Sequence, residues 1–238
     1  MERKRFLKSL IIGAIAAPSV LEGCKKATNT VDDPSGTGTV TNTGTSTTGC
    51  TIAPTETEGP FPTKVPSSYT RSDITDGRTG YKLTAKLTIN SNCSPLAGAI
   101  VDIWHCDAEG NYSEYGGTGM QSTNYQSVHF LRGRQVTDAN GIVNFTTIFP
   151  GWYSGRATHI HVHVYSASGN SLKITQIAFP EGSGSAVTLV NGYKKGMSGY
   201  TANAKDNVFS DDMLKIEIAT VSGSLTGGFA LEMKINAA

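Results

Sequence analysis

The sequence predicts an all-β protein, a single β-sandwich domain with long loops, and three observations carry that expectation. Short segments alternate apolar and polar residues with period two, as in Tyr81-Lys82-Leu83-Thr84-Ala85-Lys86-Leu87-Thr88-Ile89, the pattern of a half-buried strand. No stretch beyond Cys50 carries an apolar stripe at helical spacing over a useful length. Glycine is frequent, 27 of 238 residues, while only 16% of the chain is charged, a balance that suits strands and turns better than helices.

In chain order, further strands are expected over Ala99–His105, Gly141–Ile148, His159–Tyr165, Leu172–Phe179, Met213–Ile218 and Phe229–Ile235. Turns such as Asp138-Ala139-Asn140-Gly141 separate them, and short strands punctuated in this way suit a sandwich. Two connections, residues 107–130 and 180–210, are long and rich in Gly, Ser, Asn and Tyr. Loops of that length usually carry function or are disordered.

Residues 1–23 read as an export signal, because Arg3, Lys4, Arg5 and Lys8 precede an apolar run from Leu10 to Leu21 that is too short to span a bilayer comfortably. Leu21-Glu22-Gly23-Cys24 resembles a bacterial lipobox, which implies lipidation of Cys24 and anchoring on the periplasmic or outer side of a bacterial membrane. Arg3-Lys4-Arg5-Phe6-Leu7-Lys8 also resembles a twin-arginine signal with lysine at the second arginine. Residues 24–49, dominated by Thr, Gly, Ser, Asn and Asp, are expected to be a flexible tether, leaving 50–238 as the folded domain.

Lys+Arg at 20 against Asp+Glu at 19 gives a formal charge of +1, so no basic footprint argues for a nucleic-acid partner. A small molecule is the expected partner, and the oligomeric state stays open. Beyond Cys24 lie Cys50, Cys93 and Cys106, and an oxidising compartment favours one disulfide among them. Cys50 with Cys93 is the expected pair, with a stabilisation of roughly 4 kcal/mol on the chain-entropy argument. Cys106 is then a small buried apolar residue.

Chemistry concentrates in Gly151-Trp152-Tyr153-Ser154-Gly155-Arg156-Ala157-Thr158-His159-Ile160-His161-Val162-His163. Residues two apart on a strand point the same way, with Cα atoms about 7 Å apart, so His159 and His161 can place imidazoles on one ion. Ile160, Val162 and Val164 face the other way into a core. A His-x-His pair is equally compatible with a solvated polar face. Tyrosine near a metal has a further meaning, because a phenolate is a hard anionic donor that favours a trivalent ion.

Four motifs resemble the intradiol ring-cleavage dioxygenases, the family of protocatechuate 3,4-dioxygenase and catechol 1,2-dioxygenase. They are Thr57-Glu58-Gly59-Pro60, then Val101-Asp102-Ile103-Trp104-His105-Cys106-Asp107-Ala108-Glu109-Gly110-Asn111-Tyr112, then Gly133-Arg134-Gln135-Val136-Thr137-Asp138, and Pro150-Gly151-Trp152-Tyr153 leading to Arg156 and the histidine pair. They stand in the family's order across nearly the whole domain from Cys50, and the Trp104-His105-Cys106 step is more similar to secreted members of the family. The resemblance implies a non-haem Fe(III) ion held by Tyr112, Tyr153, His159 and His161, with Thr57, Gly59, Pro60 and Arg156 at the substrate and Gln176 beside the ligands. It also implies the reaction. A catechol binds iron through both oxygens, Tyr153 leaves the metal and helps accept a proton, Arg156 stabilises negative charge on the ring, and O2 is inserted to give a muconate-type diacid. His163 has no ligand counterpart, and His105 and His129 read as structural.

Two other classes compete. One is a zinc hydrolase using the His-x-His pair with an acidic third ligand, which leaves both tyrosines unexplained. The other is a non-catalytic surface β-sandwich that binds carbohydrate or another surface.

Overall fold

The computed structural model describes residues 50–117 and 119–238. The expected export signal, the lipidation at Cys24 and the tether lie outside these residues. Among the described residues no helix is long and apolar enough to cross a membrane.

Among the described residues nine strands form two sheets. The strands are β1 (Lys82–Ser91), β2 (Ser94–Pro95), β3 (Ile100–Trp104), β4 (Arg132–Val136), β5 (Ile142–Ile148), β6 (His159–Tyr165), β7 (Ser171–Ala178), β8 (Thr220–Ser224) and β9 (Gly228–Asn236). One sheet runs β4-β3-β6-β7, every pair antiparallel. In the other, β1 pairs in parallel with β9 along one edge and with β5 and the short β2 along the opposite edge, and β8 completes the sheet beyond β9.

The alternation read in the sequence becomes the core. On β1 the odd positions Leu83, Ala85, Leu87 and Ile89 are buried, and on β9 so are Phe229, Leu231, Met233 and Ile235. They pack on Val101, Ile103, Ile160, Val162 and Ile177 of the facing sheet. β6 differs from an ordinary sandwich strand because six of its seven residues are buried, so its other face is covered too. That face carries the histidines, and the long loops and the segment ahead of β1 cover it.

Cys50 and Cys93 form the expected disulfide, and Cys106 is free and buried. From that anchor the N-terminal segment runs along the sandwich, with Ala53 N–H donating to Asn236 O and Glu56 N–H to Ile174 O, both at 2.9 Å.

Two expectations need correction. β4 lies outside the expected strands, because Arg132, Gly133, Arg134 and Gln135 offer no apolar alternation to read. Residues 213–218, expected as a strand, are turns instead. The Asp212 carboxylate accepts the N–H groups of Ile216 and Glu217 at 3.0 and 2.8 Å, which diverts backbone donors from a ladder. Only Ile218 makes a bridge, to Ala178, and the strand follows at β8. The sole α-helix among the described residues is α1, Ala186–Val190, capped by Ser185.

This turn buries Glu217, which is 1% exposed, receives a hydrogen bond from Thr175 Oγ1 at 3.3 Å and leaves its second carboxylate oxygen without a hydrogen-bond partner. Burial, followed by the neighbouring charges of Glu56, Asp212 and Asp211, pushes its pKa from 4.5 up to about 8. The folded state therefore keeps a proton that the unfolded chain has lost, so this contribution to stability is full below pH 4.5 and lost as pH rises to about 8. Glu217→Gln supplies a neutral side chain of the same shape. Its thermal midpoint is expected to exceed the parent's at pH 8, by the equivalent of about 1–3 kcal/mol, with the gap closing towards pH 4.5. Melting curves across pH check this, and an offset independent of pH contradicts it.

Candidate metal and substrate site

β6 sits between β3 and β7, with Trp104 and Gln176 directly opposite His161 on its two neighbours. Trp104 stacks on the His161 ring at 4.9 Å with an interplanar angle of 1°. Gly59 presses on the ring from the N-terminal segment, at a backbone φ of +68°. A Cβ there would lie 2.9 Å from His161 Cε1, so only glycine lets the segment pass so close.

Tyr112 is delivered by the turn after β3. Asp107 Oδ1 accepts from Glu109 N and Asn111 N at 3.1 and 2.9 Å, and Gly110 turns the chain at φ +90° where a Cβ would strike Trp152 O. Gln121 clamps the Tyr112 backbone at both N–H and C=O, and Phe61 stacks on its ring at 4.7 Å. Tyr153 arrives from the loop after β5, its ring 5.8 Å from that of Tyr112 and 5.7 Å from that of His159.

Four side chains thus converge. Tyr112 Oη lies 3.3 Å from His159 Nε2, and His159 Nε2 lies 3.1 Å from His161 Nε2. His159 Nδ1 is 2.7 Å from the Ala157 carbonyl, which places the proton on Nδ1 and leaves Nε2 a bare lone pair. Burial first, then the Arg156 charge, lowers the His159 pKa to about 3. Burial and His159 hold that of His161 well below its usual range. Two neutral imidazoles with facing nitrogens repel unless a proton or a cation lies against both. Burial also raises the pKa of both tyrosines, so each is a phenol until a cation compensates its charge. Two imidazole nitrogens and two phenol oxygens fit a hard trivalent ion. Among the described residues no three of His, Cys, Asp and Glu are grouped to hold a metal.

Arg156 borders this cluster. Its Nη1 is 3.5 Å from both Tyr153 Oη and His159 Nε2, its Nη2 donates to Gln176 Oε1 at 2.6 Å, and its Nε faces the Asp206 carboxylate at 2.9 Å. Gln176 Nε2 in turn donates to Thr57 O at 2.9 Å. Thr57 is therefore tied to the site through its carbonyl, while Pro60 is exposed. His163 shares the face of β6 but bonds elsewhere, to Ser171 Oγ at 2.8 Å, Tyr165 Oη at 2.9 Å and Glu58 Oε1 at 3.2 Å. His105 is buried between Cys106 O and Thr147 Oγ1, and burial lowers its pKa to about 4. His129, half exposed, meets Tyr69 and Glu114.

Three contributors escape a reading of the sequence: Phe61, Asp206 and Arg132. Arg132 is 0% exposed and donates to Ser113 Oγ, Ser113 O, Phe61 O and Thr63 Oγ1 at 2.6–3.0 Å, tying the residue after Tyr112 to the ring stacked on it. A hollow of about 360 Å³ elsewhere, lined by Thr79, Gly80, Tyr81, Ala108, Glu109, Tyr193 and Lys194, contains none of these residues, so concavity alone does not locate the chemistry.

The chain is also similar to known proteins in sequence and in fold. A family profile described as Dioxygenase matches residues 63–217. Chlorocatechol 1,2-dioxygenase of Rhodococcus opacus is 30% identical over 105 residues, covering 36% of this chain and 38% of that protein. Catechol 1,2-dioxygenase of Acinetobacter baylyi is 32% identical over 128 residues, 46% of this chain and 39% of that protein. The match thus spans less than half the length of these relatives. An intradiol ring-cleavage dioxygenase from Tetranychus urticae superposes with a TM-score of 0.69 at 31% identity, covering 79% of this chain and 94% of that one. With the profile spanning more than half of the sequence and the two-sheet fold shared, this chain belongs to the intradiol ring-cleavage dioxygenase family.

Proposed function

We propose that the protein cleaves catechol-type aromatic diols with O2, using one non-haem ferric ion held by Tyr112, Tyr153, His159 and His161. The observation that carries this is the run of close approaches from Tyr112 Oη to His159 Nε2 to His161 Nε2, at 3.3 and 3.1 Å, with the Tyr153 ring packed against His159. When bound, ferric iron supplies Lewis-acid polarisation and a template for the diol oxygens.

The chain's own residues supply the rest. His159 and His161 offer neutral nitrogens, fixed by Ala157 O and by the Trp104 ring. Tyr153 is the better placed of the two phenols to exchange a proton, because it is partly exposed whereas Tyr112 is fully enclosed. Its oxygen would take a proton from an incoming diol hydroxyl, and Arg156 Nη1 beside it would stabilise negative charge spreading into the ring. Phe61 and Phe209 wall the cluster with apolar surface that keeps water from competing. Both oxygen atoms of O2 then reside in a muconate-type diacid. The Cys50–Cys93 disulfide supports a working place outside the reducing cytoplasm, in keeping with an exported, lipid-anchored protein.

Oxygen uptake with catechol by the iron-loaded protein, together with product identification, tests the proposal. The parent is expected to consume O2 and to show visible absorption from phenolate bound to Fe(III), and Tyr153→Phe to lose about tenfold or more of the rate. Equal uptake by parent and variant, or a colourless ferric protein, would remove the case.

A further inference from the structure

We propose that Asp206 is the positioning residue for Arg156, turning its guanidinium so that Nη1 alone is presented to the reacting diol. This rests on the role given to Arg156 above. Asp206 comes from the long loop before β8, follows a one-turn 3-10 helix at Asn203–Lys205, and is 0% exposed. Its carboxylate is itself fixed by the backbone, with Oδ2 accepting Ala157 N–H at 2.6 Å and Oδ1 accepting Val208 N–H at 2.9 Å. Both oxygens then face Arg156 Nε, at 3.2 and 2.9 Å.

A guanidinium has five N–H groups in one rigid plane. Nε is committed to Asp206 and Nη2 to Gln176, whose own amide is tied to Thr57 O. Nη1 makes no bond shorter than its two 3.5 Å approaches to Tyr153 Oη and His159 Nε2. Two fixed edges of a planar group determine the direction of the third. Gln176 alone would leave the plane free to pivot about one bond, and Asp206 removes that freedom. It also offsets the cost of burying the arginine charge beside two histidines. A lysine at position 156 could satisfy one of these partners but not aim a second donor.

The test compares Asp206→Asn, Arg156→Lys and the double variant in iron-loaded protein. Asparagine keeps one acceptor oxygen and nearly the same shape, so the fold is expected to survive. Asp206→Asn should lose about tenfold or more in kcat for catechol with KM changed less than about threefold, because the lost interaction matters most in the transition state. Iron per chain and the visible phenolate absorption should match the parent. Adding Asp206→Asn to Arg156→Lys should cost almost nothing further, since the two act through one group. A crystal structure of Asp206→Asn should show the guanidinium rotated away from Tyr153. The inference is overturned by parent-like kcat in Asp206→Asn, by additive losses, by lost iron as the main effect, or by an unmoved guanidinium. Should asparagine prevent folding, Asp206→Glu, which keeps the charge but shifts it by one methylene, must show the same loss in kcat. Failure of the underlying reading is distinguishable: the parent leaves catechol untouched, or Arg156→Lys equals the parent, while the Asp206→Asn structure still decides whether the guanidinium has turned.

Discussion

Arg132→Met is expected to destabilise the protein by about 3–5 kcal/mol, which for a marginally stable domain approaches loss of the fold. The side chain is completely enclosed, and its removal strands the Phe61 and Ser113 carbonyls together with the nearby Glu114 carboxylate, 3.5 Å from Arg132 Nε. Burial by itself lowers the proton affinity of Arg132, and Glu114 works against that, so the two charges depend on each other. The partner is not wholly orphaned, because Lys64 N–H and Tyr69 Oη also donate to Glu114. Adding Glu114→Gln to Arg132→Met should therefore recover part of the lost stability. Denaturant titration checks both variants. A loss under about 1 kcal/mol, the scale of a surface pair, would show that the network is dispensable.

Gly59→Ala should have the largest effect on the site while leaving most of the fold intact. The new methyl must occupy space 2.9 Å from His161 Cε1 and 3.5 Å from Nε2, at a φ of +68° that alanine adopts only at a cost of about 1–2 kcal/mol. Trp104, stacked flat on the ring, restricts where the imidazole can go. His161 must then rotate or the segment must lift, and a misplacement of about 1 Å is enough for a hundredfold loss in rate. Iron per chain should fall in parallel. Metal analysis and oxygen uptake check the expectation, and full iron with parent-like uptake would show that the N-terminal segment is not a wall of the site.

Much of this is legible in residue order because it is periodic. Odd apolar positions on β1 and β9 place the core, and the alternation of Ile160, Val162 and Val164 with three histidines places the site on one face of one strand. Tyr112 and Tyr153 have no such period. They stand in loops, and only the resemblance of their surroundings singles them out from Tyr115 and Tyr125. Gln176 gains its meaning from the register that sets it opposite His161. Arg132 and Asp206 stay hidden for a shared reason: each works through partners far away in the chain, Asp206 reaching Arg156 across 50 residues and Arg132 reaching Phe61 across 71. A buried charge satisfied by distant partners is, in one dimension, indistinguishable from any surface charge. The strand expected at 213–218 fails for the opposite reason, since a purely local carboxylate claims the N–H groups that the pattern assigns to a sheet.

The parallel pairing of β1 with β9 bears on the order in which the molecule can be made. Thr84 and Phe229 bond across 145 residues, so the central edge of that sheet is completed only after nearly all of the domain has left the ribosome. Until then β1 offers an unsatisfied row of amides and carbonyls to any neighbouring nascent chain. Closing so large a loop slows folding and lengthens that exposure. Yield on expression should therefore depend on translation rate and on chaperones that shield a lone strand, more than on the chemistry at the opposite sheet.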